Sequence, residues 1–515
     1  MPVELLPLTL LALTFALLLS GYPVALVLTG VPLLFACLTG FAGFFDLGLL
    51  SALPSRLYGI LTNELLIAIP LFVLMGTILD RSKVAADLIV AMGHLFRAVP
   101  GGLAVSLCLV GGLLAASTGI VGATVVTMGL IAFPTLLARG YSPRLSSGVI
   151  CASGSLGQII PPSIVLVLLG DQLGAVYGEA QRAVGNWTAR PVTIADLFAG
   201  ALLPGLLLMG AYAAYASFVA WRNKTDRPAD DVTEARTNRN ATRLLTALVA
   251  PWFLLVAVLG SILGGIATPT EAAGLGACGA SFLAGIRLGG KWRGLIAVGL
   301  ASGLGAFLLS LAMREGMGGP GLITAGLSLV GIALFAVGLG AAVVTLQRAE
   351  VLVGALRQTL DITVMVYAIL IGATCFALVF RGLEGDVIVQ DFLETLPGGE
   401  LGAIAFVMAV IFLLGFFLDV VEIITLVIPI LALSLLKTVD PLWFGVLVAV
   451  NLQTSYLTPP FGFSLFYLRK VAPPSVATSD IYLGAVPFVV LQLLVLGLLI
   501  AQPQLVTALP SYLNR

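Results

Sequence analysis

The chain contains two copies of one unusual pattern of apolar segments, at residues 111–162 and 412–460. In each copy, two apolar runs flank a short break that is rich in small or polar residues. A polar turn then leads into a longer apolar run, which is interrupted at a Pro-Pro pair. Interrupted apolar segments at matching positions of two halves are a sequence signature of the substrate and ion site of a secondary transporter. The repeat therefore predicts a carrier core built from both halves.

Composition places this core in a membrane. Of the residues, 59% are hydrophobic and 10% are charged, and the mean hydropathy is +1.12, which is far outside the range of soluble domains. A helix needs about 20 apolar residues to cross about 30 Å of hydrocarbon. Stretches of this kind predict twelve spans, at residues 5–20, 23–40, 64–80, 145–169, 195–221, 244–264, 270–286, 294–312, 322–346, 361–380, 441–468 and 483–502.

Two further apolar segments, 102–138 and 401–436, are too interrupted at their centres to be continuous crossings. We interpret them as re-entrant helical hairpins; the alternative is two ordinary crossings in each segment, joined by a tight turn. Irregular backbone at membrane depth is tolerated only where it is buried in protein or lines a wet cavity. The predicted fold class is an all-α polytopic membrane protein with about twelve spanning helices and two hairpins.

The distribution of Lys and Arg orients the chain, because cytoplasmic loops are enriched in them. With residues 81–101 inside, the linker 222–243 is also inside, the acidic loop 382–400 is outside, and seven of the 25 basic residues lie outside: Arg56, Arg182, Arg190, Arg314, Arg381, Lys437 and Arg515. Seven predicted spans, an odd number, separate the hairpins, so the hairpins enter from opposite sides. The repeats are therefore predicted to be inverted, an arrangement that forms a midplane site for alternating access.

The predicted organisation alternates scaffold and transport core. The segments are N-terminal scaffold with an interfacial helix (1–101), repeat 1 of the core (102–169), scaffold with the linker 222–243 and two extra spans at 294–346 (170–400), repeat 2 of the core (401–468) and a C-terminal span (469–515). Segments 83–98 and 348–360 are either bracing helices at the cytoplasmic interface or loops. The N-terminus has no basic region and carries Glu4, so we expect a first span rather than a cleaved signal peptide.

Several classes of function are disfavoured. The five cysteines are scattered through apolar segments and there is one histidine, His94, so neither a metal site nor a nucleophile with its base is indicated. The absence of a P-loop argues against ATP-driven pumping, and the net charge of zero argues against a nucleic-acid partner. We therefore expect a protein that is not an enzyme and has no cofactor.

The first copy offers oxygen ligands of the kind that Na⁺ takes. These ligands are the backbone carbonyls freed at the two breaks and the serine and threonine hydroxyls beside them. The half-helix N-termini that face the breaks carry partial positive charge, which suits a substrate carboxylate. The alternative is that the small residues only allow close helix packing. The predicted ion ligands are Ser117, Thr118, Gly122, Ser153 and Gly154, and the predicted substrate contacts are Ser155, Gly157, Pro161 and Ser163.

The second copy adds two acids at its hairpin break, Asp419 and Glu422. A carboxylate at membrane depth costs roughly 2.5–3.5 kcal/mol on insertion scales, so it usually has a functional partner. Asp419 could bind Na⁺ or could titrate as a proton carrier; the alternative for both acids is an interface position that only reaches water. The predicted ion ligands are Asp419, Thr454 and Thr458, the predicted substrate contacts are Asn451, Ser455 and Pro459, and Glu422 is a further candidate.

Two candidates lie outside the repeats. Thr268-Pro269-Thr270-Glu271 starts a span, so Glu271 is either a helix cap or a functional acid. Arg381 follows a span near the predicted outer mouth. It could clamp a substrate carboxylate or pair with an acid, or it could anchor the helix at the interface by snorkelling.

The residues resemble one family. The stretches IPLFVLMGTILDRSKVAADL (69–88), GQIIPPS (157–163), IATPTEAAGLGA (266–277) and GFFLDVVEIITLVIP through NLQTSYLTPPFGFSLF (415–466) look like the large membrane subunit, of DctM type, of tripartite ATP-independent periplasmic (TRAP) transporters. The resemblance implies an elevator-type carrier in the bacterial inner membrane that imports an organic acid by Na⁺ symport. It also implies a periplasmic binding protein and a small four-helix membrane subunit, and it favours Asp419 and the hairpin Ser/Thr positions as ion ligands.

The chain departs from that family pattern in two respects. Residues 294–346 look like two extra spans, and no fused small subunit is present, so that partner is expected as a separate chain. A self-sufficient carboxylate carrier of the same superfamily is the main alternative. Oxygen-only breaks without histidine favour Na⁺ over H⁺ as the coupling ion.

Overall fold

The computed structural model describes residues 5–96, 99, 101–118, 121–223, 241–314 and 322–513. Within that part the chain is helical, with no strand, which confirms the all-α fold class. Its α-helices are α1 Leu6–Leu19, α2 Val24–Phe41, α3 Leu53–Leu61, α4 Ala68–Arg81, α5 Val84–Leu95, α6 Gly102–Thr118, α7 Val121–Ala138, α8 Pro143–Ser155, α9 Ile164–Ala183, α10 Ile194–Arg222, α11 Ala241–Leu263, α12 Pro269–Leu288, α13 Arg293–Arg314, α14 Leu322–Arg348, α15 Val351–Gly382, α16 Gly385–Glu394, α17 Gly399–Leu414, α18 Val420–Glu422, α19 Ile428–Leu435, α20 Pro441–Leu457, α21 Phe463–Val471, α22 Thr478–Ala501 and α23 Gln504–Leu513.

The predicted repeat is present as the same series of elements twice. Hairpin 1 is α6 and α7, and broken helix 1 is α8, a short 3₁₀ turn, the Pro161-Pro162 pair and α9. Hairpin 2 is α17 followed by α18, a π-helical segment at Ile423–Val427 and α19, and broken helix 2 is α20, the Pro459-Pro460 pair and α21. Both Pro-Pro bonds are cis.

The two broken helices begin in the same way because their sequences carry the same start signal. Ser142 accepts a hydrogen bond from the Leu145 amide at 3.2 Å, and Pro143 opens α8. Asp440 accepts one from the Trp443 amide at 2.9 Å, and Pro441 opens α20. A capping side chain satisfies an amide that has no helical partner, and proline is pre-organised for the first turn.

The two copies are interleaved rather than side by side. Helix α9 packs on α19 of hairpin 2, and α21 packs on α7 of hairpin 1. The half-helix that follows each break therefore packs on the second arm of the other copy's hairpin. The remaining core helices α10, α22 and α23 enclose this unit, with α22 lying along α8. Pro161 and Pro162 at the first break are buried, whereas Pro460 and Phe461 at the second break are exposed.

A second group of helices forms the scaffold. Helices α12 and α15 both pack on α4, and α15 also packs along α2. The predicted extra spans are α13 and α14, which pack on each other and on α12. A small satellite core joins them through Phe282, Ile296 and Ala342. The extra helices therefore extend the scaffold and leave the repeat core unchanged.

Several helices differ in extent from the predicted spans. Broken helix 1 runs on to Ala183 rather than ending at 169, and α15 begins at Val351, so 351–360 is the start of a long helix and not a separate interfacial segment. The segment 83–98 does form a helix, α5, at Val84–Leu95. Helices α3, α16 and α23 were not predicted. Each combines polar and apolar residues over about ten positions, so none gives the apolar stretch that marks a span.

Six helices of the described part are individually long and apolar enough to cross a membrane, or seven if the bent pair Leu47–Leu61 and Glu64–Arg81 forms one span. Further apolar helices are shorter, including α6 and α17 of the hairpins. The count of twelve spans, the orientation and the segment boundaries stay predictions. A multi-pass membrane protein is nevertheless the consequence of so many apolar helices.

Candidate functional site

The tip of hairpin 2 is tied to broken helix 2 by one side-chain contact. The Tyr456 hydroxyl on α20 donates a hydrogen bond to Asp419 Oδ1. The Val420 amide donates to the same hydroxyl at 3.4 Å. Tyr456 is itself 4% exposed. The carboxylate that the sequence singled out is therefore held against the helix just before its Pro-Pro break.

Glu422 completes this end of the site. Its Oε2 accepts a hydrogen bond from the Asp419 amide at 3.1 Å, and its side chain is only 8% exposed. Among the residues that the structure describes, no Lys or Arg forms an ion pair with either acid. Two carboxylates without a protein cation lie on the first turn of one arm. Such a pair is electrostatically suited to a monovalent cation.

Aromatic rings close the tip against the loop after the break. Phe416 and Phe417 lie 6.0 and 5.5 Å, centroid to centroid, from Phe461. Tyr456 lies 5.0 Å from Phe463. These contacts fix the tip of hairpin 2 on the loop between α20 and α21, so the predicted substrate contact Pro459 lies beside it in the chain.

The polar residues of α20 are held by helix carbonyls. The hydroxyls of Thr454, Ser455 and Thr458 donate to the carbonyls of Val450, Leu452 and Thr454, at 2.8, 2.7 and 2.7 Å. A hydroxyl that donates in this way keeps its lone pairs for another donor or for a cation. Asn451 is different, because its Nδ2 donates to the Met408 carbonyl of α17 at 2.7 Å. It joins α20 to the first arm of hairpin 2.

The tip of hairpin 1 is only partly described. The side chains of Ser117 and Thr118, predicted as ion ligands, lie outside the described residues. Gly122, at the start of α7, faces the ring of Tyr467 so closely that a Cβ there would lie 2.8 Å from the ring. Gly154 on α8 lies against Val125 of α7. Both glycines therefore allow helices of the core to approach the second arm of hairpin 1.

The break of broken helix 1 contains buried polar groups that lack a hydrogen bond of good geometry. Ser153 is fully buried and its hydroxyl makes no hydrogen bond of good geometry, and Gln158 is 1% exposed with both amide atoms unpartnered. The loop after them is closed by the Ser163 hydroxyl, which donates to the Gln158 carbonyl at 3.1 Å across Pro161. Gly157 lies inside the 3₁₀ turn. Buried polar groups of this kind cost free energy unless a ligand or water completes them.

Tyr467 lies on α21 and packs on Gly122 of hairpin 1. Lys470 lies with its Nζ 5.8 Å from the Tyr467 ring centre. Broken helix 2 therefore contacts hairpin 1 through Tyr467 and the tip of hairpin 2 through Tyr456. The sequence analysis missed Tyr456 and Tyr467, since a tyrosine in an apolar run has no distinctive local signal.

The two candidates outside the repeats have protein partners. Glu271 forms a capping box with Thr268, in which the Thr268 amide donates to Glu271 Oε2 at 2.8 Å and the Glu271 amide donates to Thr268 Oγ1 at 3.3 Å. Arg381 donates from Nη1 to Glu179 Oε1 at 2.6 Å. This ion pair joins α15 to α9. Neither Glu271 nor Arg381 forms a hydrogen bond or ion pair with Asp419 among the described residues.

Known proteins match the chain over most of its length. Residues 11–505 match the family model described as the DctM component of the tripartite ATP-independent periplasmic transporter. The C4-dicarboxylate TRAP transporter large permease protein DctM of Vibrio cholerae is 29% identical over 87% of this chain and 86% of that protein. The isethionate TRAP transporter permease protein DctMQ of Oleidesulfovibrio alaskensis is 28% identical over 79% of this chain, which spans 52% of that longer protein.

The YdaH transporter of Alcanivorax borkumensis, described as having an unusual topology, shares the fold with a TM-score of 0.54. It is 15% identical and covers 88% of both chains, so this is a likeness of fold alone. The family match, by contrast, covers nearly the whole sequence and confirms the resemblance drawn from the motifs. The chain belongs to the DctM component family of tripartite ATP-independent periplasmic transporters.

Proposed function

We propose that the chain is the permease of a Na⁺-coupled importer of an organic acid. In this proposal Na⁺ binds at the breaks of the two copies, and the acid binds between the hairpin tips. The coupling ion is the only non-protein component that the carrier needs. The relatives are permeases rather than enzymes, and transport is the activity that the proposal assigns.

The observation that carries the proposal is the arrangement at hairpin 2. Asp419 and Glu422 lie at the tip without a protein cation, while Tyr456 holds Asp419 against the break of α20. A carboxylate at membrane depth is unfavourable unless it is hydrated, paired or bound to an ion. Na⁺ supplies the missing positive charge. The hydroxyls of Thr454 and Thr458, which flank Tyr456 in the sequence, and the backbone carbonyls freed at the break of α20 are its proposed neutral oxygen ligands.

The substrate class follows from the same site and from the relatives. Those named above transport C4-dicarboxylates or isethionate, which carry a carboxylate or a sulfonate. Lys470 near Tyr467, and the N-terminus of α9 after Ser163, are the positive groups that suit such an anion. We assign the anion to the space between the hairpin tips, next to Asn451, Ser455 and Tyr467.

The partners in this proposal are a periplasmic binding protein and a small membrane subunit. The name of the O. alaskensis relative, DctMQ, combines the letters of two permease components, and this chain spans 52% of that protein. We propose the small subunit as a separate chain beside this one, in the bacterial inner membrane. Helices α2, α4, α12 and α15 form the scaffold against which the interleaved core moves in an elevator-type cycle.

The test is uptake by proteoliposomes that contain the chain with its small subunit. The substrate is first chosen by screening an acid library for compounds that raise the melting temperature of the binding protein. Uptake is expected only with an inward Na⁺ gradient and only when the loaded binding protein is present. Full uptake driven by a proton gradient without Na⁺ would exclude Na⁺ coupling. Full uptake without the binding protein would favour a self-sufficient carrier.

A further inference from the structure

Gln453 and Ser155 join the two broken helices directly. Gln453 Nε2, on α20, donates to Ser155 Oγ, on α8, at 3.3 Å. Both side chains are 0% exposed. The same Nε2 lies 3.5 Å from the Tyr212 hydroxyl of α10, which holds the amide from a second side. Among the described side chains this is the one hydrogen bond that runs between α8 and α20.

The two residues occupy equivalent positions in the two copies. Gln453 follows Ser155 by 298 residues. The same separation relates the helix caps Ser142 and Asp440, and it relates the prolines Pro161 and Pro459. A residue that contacts its own counterpart in a two-fold related copy must lie at the axis between the copies. The hydrogen bond therefore marks the axis of the repeat.

This axial contact is adjacent to both breaks. Ser155 follows Gly154 and directly precedes the 3₁₀ turn of broken helix 1, and Gln453 directly precedes Thr454. Side chains two positions earlier contact the hairpins instead: Asn451 bonds to α17, and its counterpart Ser153 lies against Gly111 of α6. Each broken helix thus contacts its own hairpin through one position and its counterpart through the axial pair, two positions further along.

The amide of Gln453 is unfavourable as a purely structural element. Its Oε1 is buried and has no hydrogen-bond partner. Leaving a buried polar atom unpaired costs free energy, which offsets part of what the two hydrogen bonds from Nε2 contribute. A leucine at this position would fill similar volume and would remove both the orphaned oxygen and these two hydrogen bonds. The net contribution of this amide to stability is therefore small, and its distinctive feature is the contact that it makes between the two copies.

We propose that Gln453 is a positioning residue that couples the two copies of the site. By holding the two breaks at one spacing, its amide makes cation binding at one break favour cation binding at the other. The inference rests on the proposed Na⁺ coupling. It predicts that the amide matters for cooperativity between the breaks and not for folding.

The test compares Gln453→Leu with Gln492→Leu. Gln492 on α22 is an equally buried glutamine. Its amide also lies beside the Tyr212 hydroxyl, but it forms no hydrogen bond to a described side chain of α8 or α20. Two quantities are measured for each protein: thermal unfolding without Na⁺ in detergent, and the Na⁺ dependence of uptake by the complete transporter. Na⁺-induced stabilisation of the detergent-solubilised chain gives a second measure of Na⁺ binding.

In Gln453→Leu the melting temperature without Na⁺ is expected to be similar to that of the wild type, because loss of the two Nε2 hydrogen bonds is offset by removal of the orphaned Oε1. The half-saturating Na⁺ concentration should rise about fivefold or more, the lower end of typical coupling factors, and the Hill coefficient should fall towards one. Gln492→Leu should be equally stable with wild-type Na⁺ dependence. Ser155→Ala should reproduce the Na⁺ shift, and the double variant should add little to it, because both changes remove one interaction.

The outcomes separate this inference from the proposed function. Cooperative Na⁺ dependence that is unchanged in Gln453→Leu overturns the inference and leaves Na⁺ coupling intact. A lower melting temperature with a normal Hill coefficient assigns Gln453 a structural role and also overturns it. Wild-type uptake without any Na⁺ dependence removes the proposed function, and the inference with it.

Discussion

The Tyr456 hydroxyl donates a hydrogen bond to Asp419 Oδ1, so broken helix 2 holds the carboxylate at the tip of hairpin 2. The same hydroxyl accepts a hydrogen bond from the Val420 amide at 3.4 Å. One phenol therefore fixes both the start of the second arm and its acid. If the hairpin 2 tip moves, either this hydrogen bond breaks or α20 moves with the tip. The position of Asp419 is therefore linked to that of the break after α20.

Asp419→Asn tests whether this carboxylate is an ion ligand. The change keeps the shape and the acceptor oxygen for Tyr456 but removes a full negative charge. We expect severe loss of uptake, a shift of the Na⁺ requirement to higher concentration and normal folding, since only the tip changes. Uptake is measured in proteoliposomes at equal amounts of protein. Normal Na⁺-dependent uptake by this variant would show that the Asp419 carboxylate is only hydrated at the membrane interface and does not bind the coupling ion.

Tyr456→Phe serves as the matched comparison. It removes the hydrogen bond to Asp419 but leaves the charge in place, and the ring can still pack on Phe463, 5.0 Å away. We expect a smaller rise in the half-saturating Na⁺ concentration than in Asp419→Asn, with a similar melting temperature. A Tyr456→Phe variant that is more impaired than Asp419→Asn would show that the hydroxyl, and not the carboxylate, is the essential group.

The hairpins and breaks were predictable because their signals are local. Capping residues followed by proline, as at Ser142-Pro143 and Asp440-Pro441, start a helix whatever surrounds it. The Pro-Pro pairs likewise end one, because proline lacks the amide donor of a helix. These signals needed no knowledge of the tertiary structure, and both copies of the pattern appear in the structure where the sequence placed them.

The interleaving of the copies was not predictable from local patterns. A helix that is apolar on all sides has no amphipathic face to indicate which helix it packs against. The packing of α9 on α19 could therefore not be derived from the sequence. The length of α9 was missed for a related reason. Its second half carries Asp171 and Glu179, which end an apolar stretch. In the structure Asn63 donates to Asp171 at 2.8 Å and Arg381 to Glu179 at 2.6 Å.

The contacts of the site depended on the tertiary structure in the same way. Tyr456 is part of the motif around Asn451 and Pro459, but only the folded hairpin brings it to Asp419. The axial pair of Ser155 and Gln453 did have a signal. Alignment of the copies on their Pro-Pro pairs places these two polar residues opposite each other, and a repeat with a two-fold axis brings some equivalent positions into contact.

The capping box at α12 gives a prediction about Glu271. Thr268 and Glu271 satisfy each other's amides at the start of this helix. Thr268→Ala and Glu271→Gln should each lower the melting temperature slightly, because one capping interaction is weakened, and both should leave the Na⁺ dependence of uptake unchanged. A Glu271→Gln variant with normal melting and a shifted Na⁺ requirement would instead place this acid in the ion pathway.

The orientation predicted from charge can be tested with single cysteines. Lys291 lies on an exposed turn between α12 and α13, and Glu394 is exposed at the end of α16. Lys291→Cys and Glu394→Cys are made in a background without the five native cysteines. We expect an impermeant thiol reagent to label position 394 from outside intact cells and position 291 only after permeabilisation. Labelling of both from the same side would contradict the inverted repeat.

The ion pair between Arg381 and Glu179 predicts that Arg381 does not bind the substrate. The Arg381 side chain is 25% exposed, the Glu179 side chain is 42% exposed, and Arg381 Nη1 lies 2.6 Å from Glu179 Oε1. Pairs this exposed contribute about 0–1 kcal/mol, so Arg381→Gln should change the melting temperature little. Because Glu179 occupies the guanidinium, the substrate KM should also stay within about twofold, a change of roughly 0.4 kcal/mol.

Exchanging the two residues, by combining Arg381→Glu with Glu179→Arg, distinguishes an ion pair that only links α15 to α9 from an arginine that binds the substrate. If the pair only links α15 to α9, either single change should slow uptake through repulsion between like charges, and the double exchange should restore it. A substrate clamp would instead require the arginine at position 381, since a glutamate there repels an anion. A KM that rises tenfold or more in Arg381→Gln, and that the double exchange fails to restore, would show that the substrate and not Glu179 is the functional partner of Arg381.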